Sequence, residues 1–111
     1  MNAQIKEWVS KADGDFITAQ REYRARKSPN YDAACFHAQQ CIEKYLKAVL
    51  IKGRIPFSKV HDLEVLLDLC LPKYPLWEVL RNDLQTLSMP SSSVIRANPP
   101  IKRKPVKLSQ L

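Results

Sequence analysis

Two groups of side chains have types and spacings that could do chemistry. The first contains His37, Gln40 and Lys44, whose spacing would place them on one face of a helix. An imidazole, an amide and an ammonium group can donate hydrogen bonds to phosphates and to the edges of nucleic-acid bases. The same residues could also be a structural histidine and a solvated lysine. The spacing therefore predicts a ligand-contacting face and leaves a structural role open.

The second group surrounds a loop that begins near Gly53. Arg54 and His61 could supply a cation for a phosphate and a base that works near neutrality. Cleavage of RNA through its 2′-hydroxyl needs both. Asp62 could orient the imidazole and is also a candidate ligand-binding residue. In the alternative interpretation, His61 starts or caps the next helix and Arg54 is a solvated loop residue, because Pro56 ends the preceding helix.

Other kinds of site are not indicated. Cys35, Cys41 and Cys70 are odd in number and lack the paired short spacings of a zinc site. We expect them to be small core residues in a reducing compartment. The sequence also has no glycine-rich phosphate loop and no pair of carboxylates at a catalytic spacing. We therefore predict no metal and no cofactor.

The net charge of +7 is concentrated in the C-terminal part of the chain. Up to Asp83 there are 13 basic and 11 acidic residues, whereas from Leu84 onward there are five basic residues and no acidic one. Such a segment could hold phosphates through counterion release, although many solvated termini have the same composition. Because no aromatic residues are interleaved with these charges, the second interpretation is favoured.

Nothing in the sequence indicates contact with a membrane. No apolar run approaches the roughly 18 residues that span a bilayer. The N-terminus also lacks a basic region followed by an apolar core, so no signal peptide is expected. We therefore expect a cytosolic protein.

Four helices are predicted to position these side chains. They run from about Asn2 to Arg26, Asn30 to Gly53, His61 to Leu71 and Leu76 to Leu87, and Gly53 is expected to stop the second. Apolar residues recur within them at alternating spacings of four and three. Short connections make consecutive helices antiparallel neighbours, so the predicted fold is all-α, an antiparallel up-and-down four-helix bundle.

The apolar stripes also predict which faces are buried. The expected buried residues are Ile5, Val9, Ala12, Phe16, Ala19 and Tyr23 with Trp8 and Ile17 beside them, then Tyr31, Cys35, Ala38, Ile42, Tyr45 and Val49, then Leu63, Leu66, Leu67 and Cys70, and finally Trp77, Leu80, Leu84 and Leu87. Residues 1–87 would form the bundle. Residues 88–111, which contain four prolines and three consecutive serines, would form an irregular basic tail that is extended or disordered. Val94 and Ile95 could pack locally.

One long segment resembles a known family. The sequence YDAACFHAQQCIEKYLKAVLIKGRIPFSKVHDLEVLLDLC is similar to the signature of the HEPN domain family (higher eukaryotes and prokaryotes nucleotide-binding), and WVSKADGDFITAQ resembles its first helix. The resemblance covers about residues 5–87. It implies a bundle of four or five helices, usually a homodimer. It also implies a partner, because such proteins are often encoded beside a small nucleotidyltransferase as a toxin–antitoxin pair or as a substrate-binding subunit.

The resemblance leaves three functions open. Family ribonucleases carry an arginine followed after four to six residues by a histidine, and Arg54 and His61 have this spacing, although the motif normally lies nearer the C-terminus. Arg96 could correspond to the arginine of the family's C-terminal Arg-Tyr-Pro-like element and contact a ligand. The favoured hypothesis is a nucleotide- or nucleic-acid-binding subunit that acts with a nucleotidyltransferase. The alternatives are a metal-independent ribonuclease that uses Arg54 and His61, and a dimeric interaction module without a ligand.

Overall fold

The computed structural model describes residues 2–100, and all regular structure within that range is helical. Five α-helices and one 3-10 helix follow one another: α1 Ala3–Arg24, α2 Tyr31–Lys52, α3 Leu63–Cys70, the 3-10 helix Pro75–Leu80, α4 Arg81–Leu87 and α5 Ser91–Ala97. The all-α prediction is therefore confirmed. None of these helices is long and apolar enough to cross a membrane.

Helix α2 is the central element of the fold. It contacts α1, α3, α4 and α5. Contacts with α1 run in opposite directions along the two helices, because Tyr31 lies near Tyr23 whereas Lys47, farther along α2, lies over the ring of Trp8. The two long helices thus form an antiparallel hairpin, as the short connection predicts.

The central position of α2 explains why its burial does not follow one stripe. The predicted seam is only partly buried, apart from Cys35. Leu46 and Leu50, which lie outside that seam, are more deeply buried. Glu43 and Lys47 are also buried. A helix covered by neighbours on several sides does not show the one-sided pattern from which the seam was predicted.

The main core lies between α2, α3 and α4. Its buried members are Leu46, Leu50, Leu63, Leu66, Leu67, Cys70 and Leu84. The predicted buried face of the third helix is confirmed, since all four of its expected core residues are buried. In α1 the buried residues are Ile5, Ala12 and Ala19, whereas Phe16 and Ile17 are half exposed, so those two expectations are wrong.

Polar side chains define where three helices begin. Asn2, Asn30 and Asp62 are the N-caps of α1, α2 and α3, and each side chain accepts a backbone N–H from the first turn that follows. Asparagine is a favoured N-cap residue, so the role of Asn30 is expected from its type and from its position at the predicted start of the helix, and it is confirmed. At α3 the capping residue is Asp62, and the helix begins at Leu63 rather than at His61.

Helix α2 ends at Lys52 with Gly53 as its C-cap, as expected, but the left-handed residue is the next one. Gly53 has an ordinary φ of −81°, whereas Arg54 has a φ of 55° in the left-handed region. The N–H of Ile55 donates to the carbonyl of Leu50 at 2.9 Å, and the N–H of Arg54 donates to that of Ile51 at 3.1 Å. This is the Schellman pattern, in which the left-handed position usually holds glycine. Here that position holds Arg54.

The predicted fourth helix is two elements. Pro75–Leu80 is a 3-10 helix with no buried residue, and the α-helix begins only at Arg81. Trp77 packs against the core cluster, and Leu84 is buried, as expected. The expectation for Leu80 is wrong, because this residue, at the junction between the 3-10 helix and α4, is 37% exposed.

The segment after residue 87 is not wholly irregular. Ser91–Ala97 forms α5, which contacts α2 and α4 and buries Val94. The hydroxyl of Tyr23 donates to the carbonyl of Asn98 at 2.6 Å, which ties the end of α5 to α1. A seven-residue helix is not stable alone, so its tertiary contacts, which no local pattern reveals, decide its formation. The rest of the predicted tail, residues 101–111, lies outside the described residues.

Candidate functional site

One carboxylate joins the two long helices at the predicted ligand face. Asp15 of α1 accepts a hydrogen bond from Lys44 Nζ at 2.5 Å through Oδ2 and pairs with His37 Nδ1 at 2.8 Å through Oδ1. The Asp15 side chain is only 12% exposed, and those of His37 and Lys44 are 31% and 20% exposed. The structure thus brings two of the three predicted residues together around a residue that the sequence analysis did not single out.

The charge of Asp15 is set by its partners. Burial alone would raise the pKa of this carboxyl group, but hydrogen bonds from Lys44 and His37 outweigh burial and hold the pKa below its ordinary value. Asp15 is therefore ionised at neutral pH. It fixes the ring of His37 through Nδ1, which leaves Nε2 for another partner. It uses one of the three donors on the ammonium of Lys44.

An exposed aromatic ring lies beside this pair. Phe36 is 56% exposed, and its ring stands at 83° to the ring of His37 with centroids 5.2 Å apart. Gln40 is half-buried and lies one turn farther along the same helix, so Phe36, Gln40 and Lys44 follow one another at four-residue spacing. The term "α2 face" is used below for Phe36, His37, Gln40 and Lys44. It combines a flat apolar ring, an amide and two groups that bind anions.

A second pair of side chains joins the same two helices nearby. The hydroxyl of Tyr45 donates to Asp13, and this hydrogen bond is the main reason that the pKa of Tyr45 is raised to about 12. Burial, reinforced by Asp15 and Asp13, raises the pKa of the Cys41 thiol to about 11. Cys41 is therefore a neutral, buried thiol at physiological pH and not a poised nucleophile. The other two cysteines are likewise buried and unbonded to each other.

The structure does not pair Arg54 with His61. His61 Nδ1 lies 3.3 Å from Glu43 Oε1, in the middle of α2. Arg54 lies beyond the end of that helix, eleven residues after Glu43, which corresponds to about 16 Å along the helix axis. Both residues are exposed. Their catalytic assignment stays a prediction, and this separation weighs against a shared phosphate.

The carboxylate beside His61 belongs to a buried ion pair. Glu43 Oε2 lies 3.2 Å from Lys47 Nζ, and both side chains are less than a tenth exposed. The ammonium of Lys47 lies 5.7 Å from the ring centre of Trp8 and 5.9 Å from that of Phe57. Glu43 and Lys47 are four residues apart, so helical spacing predicts their pairing, but it does not predict that both would be buried. The pair holds α1, α2 and the α2–α3 loop together.

The two remaining predicted residues lie apart from the α2 face. Asp62 caps α3, where its Oδ1 accepts the N–H groups of Glu64 at 2.9 Å and Val65 at 3.2 Å. Arg96 is exposed in the last turn of α5. Their ligand-binding assignments stay predictions, and for Asp62 the cap already provides a structural role.

The residues that were missed are Asp13, Asp15 and Phe36. Asp13 and Asp15 flank Gly14 on the first helix, and one sequence signal was available: two acids in an otherwise apolar-striped segment. Their partners are about thirty residues away on α2, so only the antiparallel register of the two helices identifies the pairs. Phe36 lay outside the predicted seam, and its exposure could have been inferred from that position.

The α2 face is a surface and not an enclosed pocket. Two depressions lie elsewhere, along α5. One of about 290 Å³ is almost wholly apolar and is lined by α1, α2 and α5, and an open one of about 610 Å³ adjoins the α1–α2 connection. Small-molecule sites are usually concave and bury most of the ligand. An exposed ring beside cationic groups instead resembles the surfaces that hold single-stranded nucleic acids.

The comparisons with known proteins add one finding. A family model described as HEPN domain matches residues 5–91. That range contains the whole α2 face, all of α1 except its first two residues, and every element from α2 to α4. Neither the curated proteins nor the solved structures gave a match. Within residues 2–100, no group of three or more histidine, cysteine or acidic side chains is placed to hold a metal ion.

Proposed function

Because this chain belongs to the HEPN domain family, we propose that it binds a nucleotide or RNA through the α2 face. One observation carries the proposal: Asp15 holds His37 and Lys44 in place beside the exposed ring of Phe36. A base can stack on such a ring, and Gln40 can offer its amide to the edge of the base. Lys44 and His37 retain donors for a phosphate. The open shape of the face favours a short single strand of RNA over an isolated nucleotide.

Binding experiments can test this assignment. A fluorescently labelled single-stranded RNA and ATP are titrated separately into the protein, and the affinity is compared between wild type, His37→Ala/Lys44→Ala and Phe36→Ala. We expect saturable RNA binding by wild type, with a loss of about tenfold or more in each variant, because stacking on one aromatic ring is worth about 1–3 kcal/mol. The electrostatic control is Lys11→Ala, which removes one exposed cation paired with Glu7 within α1.

Two control variants show whether a loss of RNA affinity is specific to the α2 face. Lys11→Ala should change the affinity less than twofold, since a single exposed charge outside the site contributes little. Ile17→Ala serves as the control for Phe36→Ala, because both residues are about equally exposed, at 54% and 56%. If the α2-face variants bind RNA as wild type does, the site is wrong. If wild type shows no saturable binding to RNA or ATP, the ligand-free interaction module becomes the better hypothesis.

We further propose that the protein acts as a homodimer with a small nucleotidyltransferase, as a toxin–antitoxin pair or a substrate-binding subunit. This proposal rests on the family alone. Its test is co-expression with a nucleotidyltransferase encoded by a neighbouring gene, where co-elution of the two chains supports it and separate elution contradicts it.

The ribonuclease alternative is tested by incubating RNA with pure protein in the absence of divalent metal. Intact RNA, under conditions in which a known ribonuclease cleaves it, would exclude that alternative.

A further inference from the structure

A nearly buried carboxylate binds a histidine and a lysine at a second place on α2. Glu43 Oε1 lies 3.3 Å from His61 Nδ1, and Glu43 Oε2 lies 3.2 Å from Lys47 Nζ. At the α2 face, Asp15 uses its two oxygens in the same way, one for His37 and one for a lysine. Both histidines of the chain are therefore oriented through Nδ1 by a carboxylate.

The two places differ in what they offer to a ligand. At the α2 face the ammonium of Lys44 is partly exposed and can bind a phosphate. Lys47 is buried and lies close to the rings of Trp8 and Phe57, so its ammonium is not available to a ligand. The side chain of His61, in contrast, is 74% exposed. The second place therefore presents an imidazole ring without an accessible ammonium group beside it.

Glu43 determines which hydrogen bonds this imidazole can form. A carboxylate only accepts hydrogen bonds, so it favours the neutral tautomer of His61 that carries its proton on Nδ1. The other ring nitrogen, Nε2, is then an acceptor. An ionised phosphate has no proton to donate to Nε2, whereas a hydroxyl group has one. The neutral ring is thus suited to a hydroxyl of the ligand.

His61 lies at the end of a row of side chains that begins at Phe36. Phe36, Gln40, Glu43 and Lys47 are spaced by four, three and four residues, so they follow one stripe along α2. The distance from Phe36 to Glu43 is about 10 Å along the helix axis. A stacked strand of nucleic acid advances about 3.4 Å per nucleotide, so a strand with one base on Phe36 reaches His61 about three nucleotides farther on.

We propose that His61 accepts a hydrogen bond from a ribose 2′-hydroxyl and thereby makes this surface prefer RNA to DNA. The 2′-hydroxyl is the group by which a protein distinguishes the two nucleic acids. Glu43 is a positioning residue, because it holds the ring without touching the ligand. The proposal rests on RNA binding through the α2 face, and it adds a second contact point and a preference for one sugar.

Binding of matched oligonucleotides tests this proposal. Labelled single strands of RNA, DNA and 2′-O-methyl RNA, identical in base sequence and about eight nucleotides long, are titrated into wild type and His61→Ala. Wild type should bind RNA about three- to tenfold more tightly than the other two strands, as expected for one hydrogen bond. His61→Ala should bind all three strands equally, with the affinity of wild type for DNA.

Two further variants separate this contact from a loss of charge and test the positioning role. Lys59→Ala removes an exposed cation from the same loop, so it should weaken RNA and DNA binding alike and keep the ratio of their affinities. Glu43→Gln places an amide, which can also donate, beside Nδ1, so it should lower that ratio. Because His61 is exposed, His61→Ala decides the proposal even if Glu43→Gln does not fold.

The outcomes distinguish this proposal from the proposed RNA binding. Equal affinity of wild type for RNA and DNA, or an unchanged ratio in His61→Ala, overturns the hydroxyl contact and leaves the α2 face as the RNA site. Equal affinity of wild type for RNA and 2′-O-methyl RNA also overturns it, because the methylated oxygen cannot donate. If wild type shows no saturable binding to any strand, the proposed function and this proposal both fail.

Discussion

At the residue scale, Asp15 has the largest effect on the proposed site. One nearly buried carboxylate binds a histidine and a lysine through different oxygens, so a single substitution disturbs two contacts between α1 and α2. Removing one member of a charged hydrogen-bonded pair leaves the other member unpaired. The stability lost in this way is larger than the net stability that the intact hydrogen bond contributes. Asp15 is therefore both a structural link and a positioning residue for the α2 face.

We expect Asp15→Asn to lower the free energy of unfolding by about 1 kcal/mol at neutral pH, since the site is close to the surface and its charges are partly screened. The pKa of Asp15 is depressed in the folded state, so its contribution is present above its ordinary value of 3.8 and is lost as the pH falls through the folded-state value. The difference in free energy of unfolding between wild type and Asp15→Asn should therefore become smaller at acidic pH. Urea denaturation at several pH values measures it.

Asp83→Asn is the control for this experiment, because Asp83 is an exposed residue of α4. The free energy of unfolding of Asp83→Asn should stay close to that of wild type across the same pH range. The difference in free energy of unfolding between wild type and Asp15→Asn could instead be constant from neutral to acid pH. That result would show that the carboxylate charge does not contribute to stability. A lower RNA affinity of Asp15→Asn, measured where the protein is fully folded, is expected from the loss of positioning.

The same residues show how far sequence can predict a site. Helical spacing was enough to place His37, Gln40 and Lys44 on one face, because that relation is local. It could not identify Asp15, since the pairing depends on how α1 is aligned along α2. Spacing also could not show that Lys47 is buried, because that depends on the rings of Trp8 and Phe57, which belong to other elements.

At the scale of elements, the end of α2 has an unusual residue in its left-handed position. A left-handed residue follows Gly53, but it is Arg54, whose Cβ makes this conformation costly. We predict that Arg54→Gly raises the free energy of unfolding by about 1 kcal/mol, because glycine adopts this conformation without the steric penalty. Chemical denaturation with an unchanged m-value would measure the gain.

Two further variants test whether relief of backbone strain, and not removal of the arginine charge, causes the stabilisation. Arg54→Ala removes the guanidinium but keeps the strained backbone. It should therefore raise the free energy of unfolding much less than Arg54→Gly does. Gly53→Ala should be tolerated, because Gly53 has a negative φ and an added Cβ would meet the flexible end of Lys73 at 3.2 Å. Equal stabilisation by Arg54→Gly and Arg54→Ala would contradict the backbone argument.

Elements also differ in how well their sequences specify them. Helix α3 was predicted with its complete buried face, because its leucines contact one core from one side. The boundary within Pro75–Leu87 and the presence of α5 were not predicted. The three elements concerned are only six or seven residues long. Tertiary contacts, such as those of Trp77 with the core and the burial of Val94, decide their conformation.

At the scale of the whole molecule, the distribution of charge should govern RNA binding. The chain has a net charge of +7, and residues 101–111 hold four of its basic residues and no acid, so a chain that stops at Pro100 has a net charge of +3. We predict that this truncated chain binds single-stranded RNA more weakly and with a smaller salt dependence. Each phosphate contact that is lost removes about 0.7 from the slope of log affinity against log salt.

The comparison with ATP makes this prediction specific to the polymer. ATP offers only one phosphate chain to the α2 face, so truncation should leave its affinity almost unchanged, while His37→Ala/Lys44→Ala should weaken both ligands. A full-length chain in which Lys102, Arg103, Lys104 and Lys107 are all replaced by glutamine is the matched control, and it should behave like the truncated chain. If it keeps the salt slope of wild type, charge in this segment does not contribute, and RNA affinity depends on the preceding residues alone.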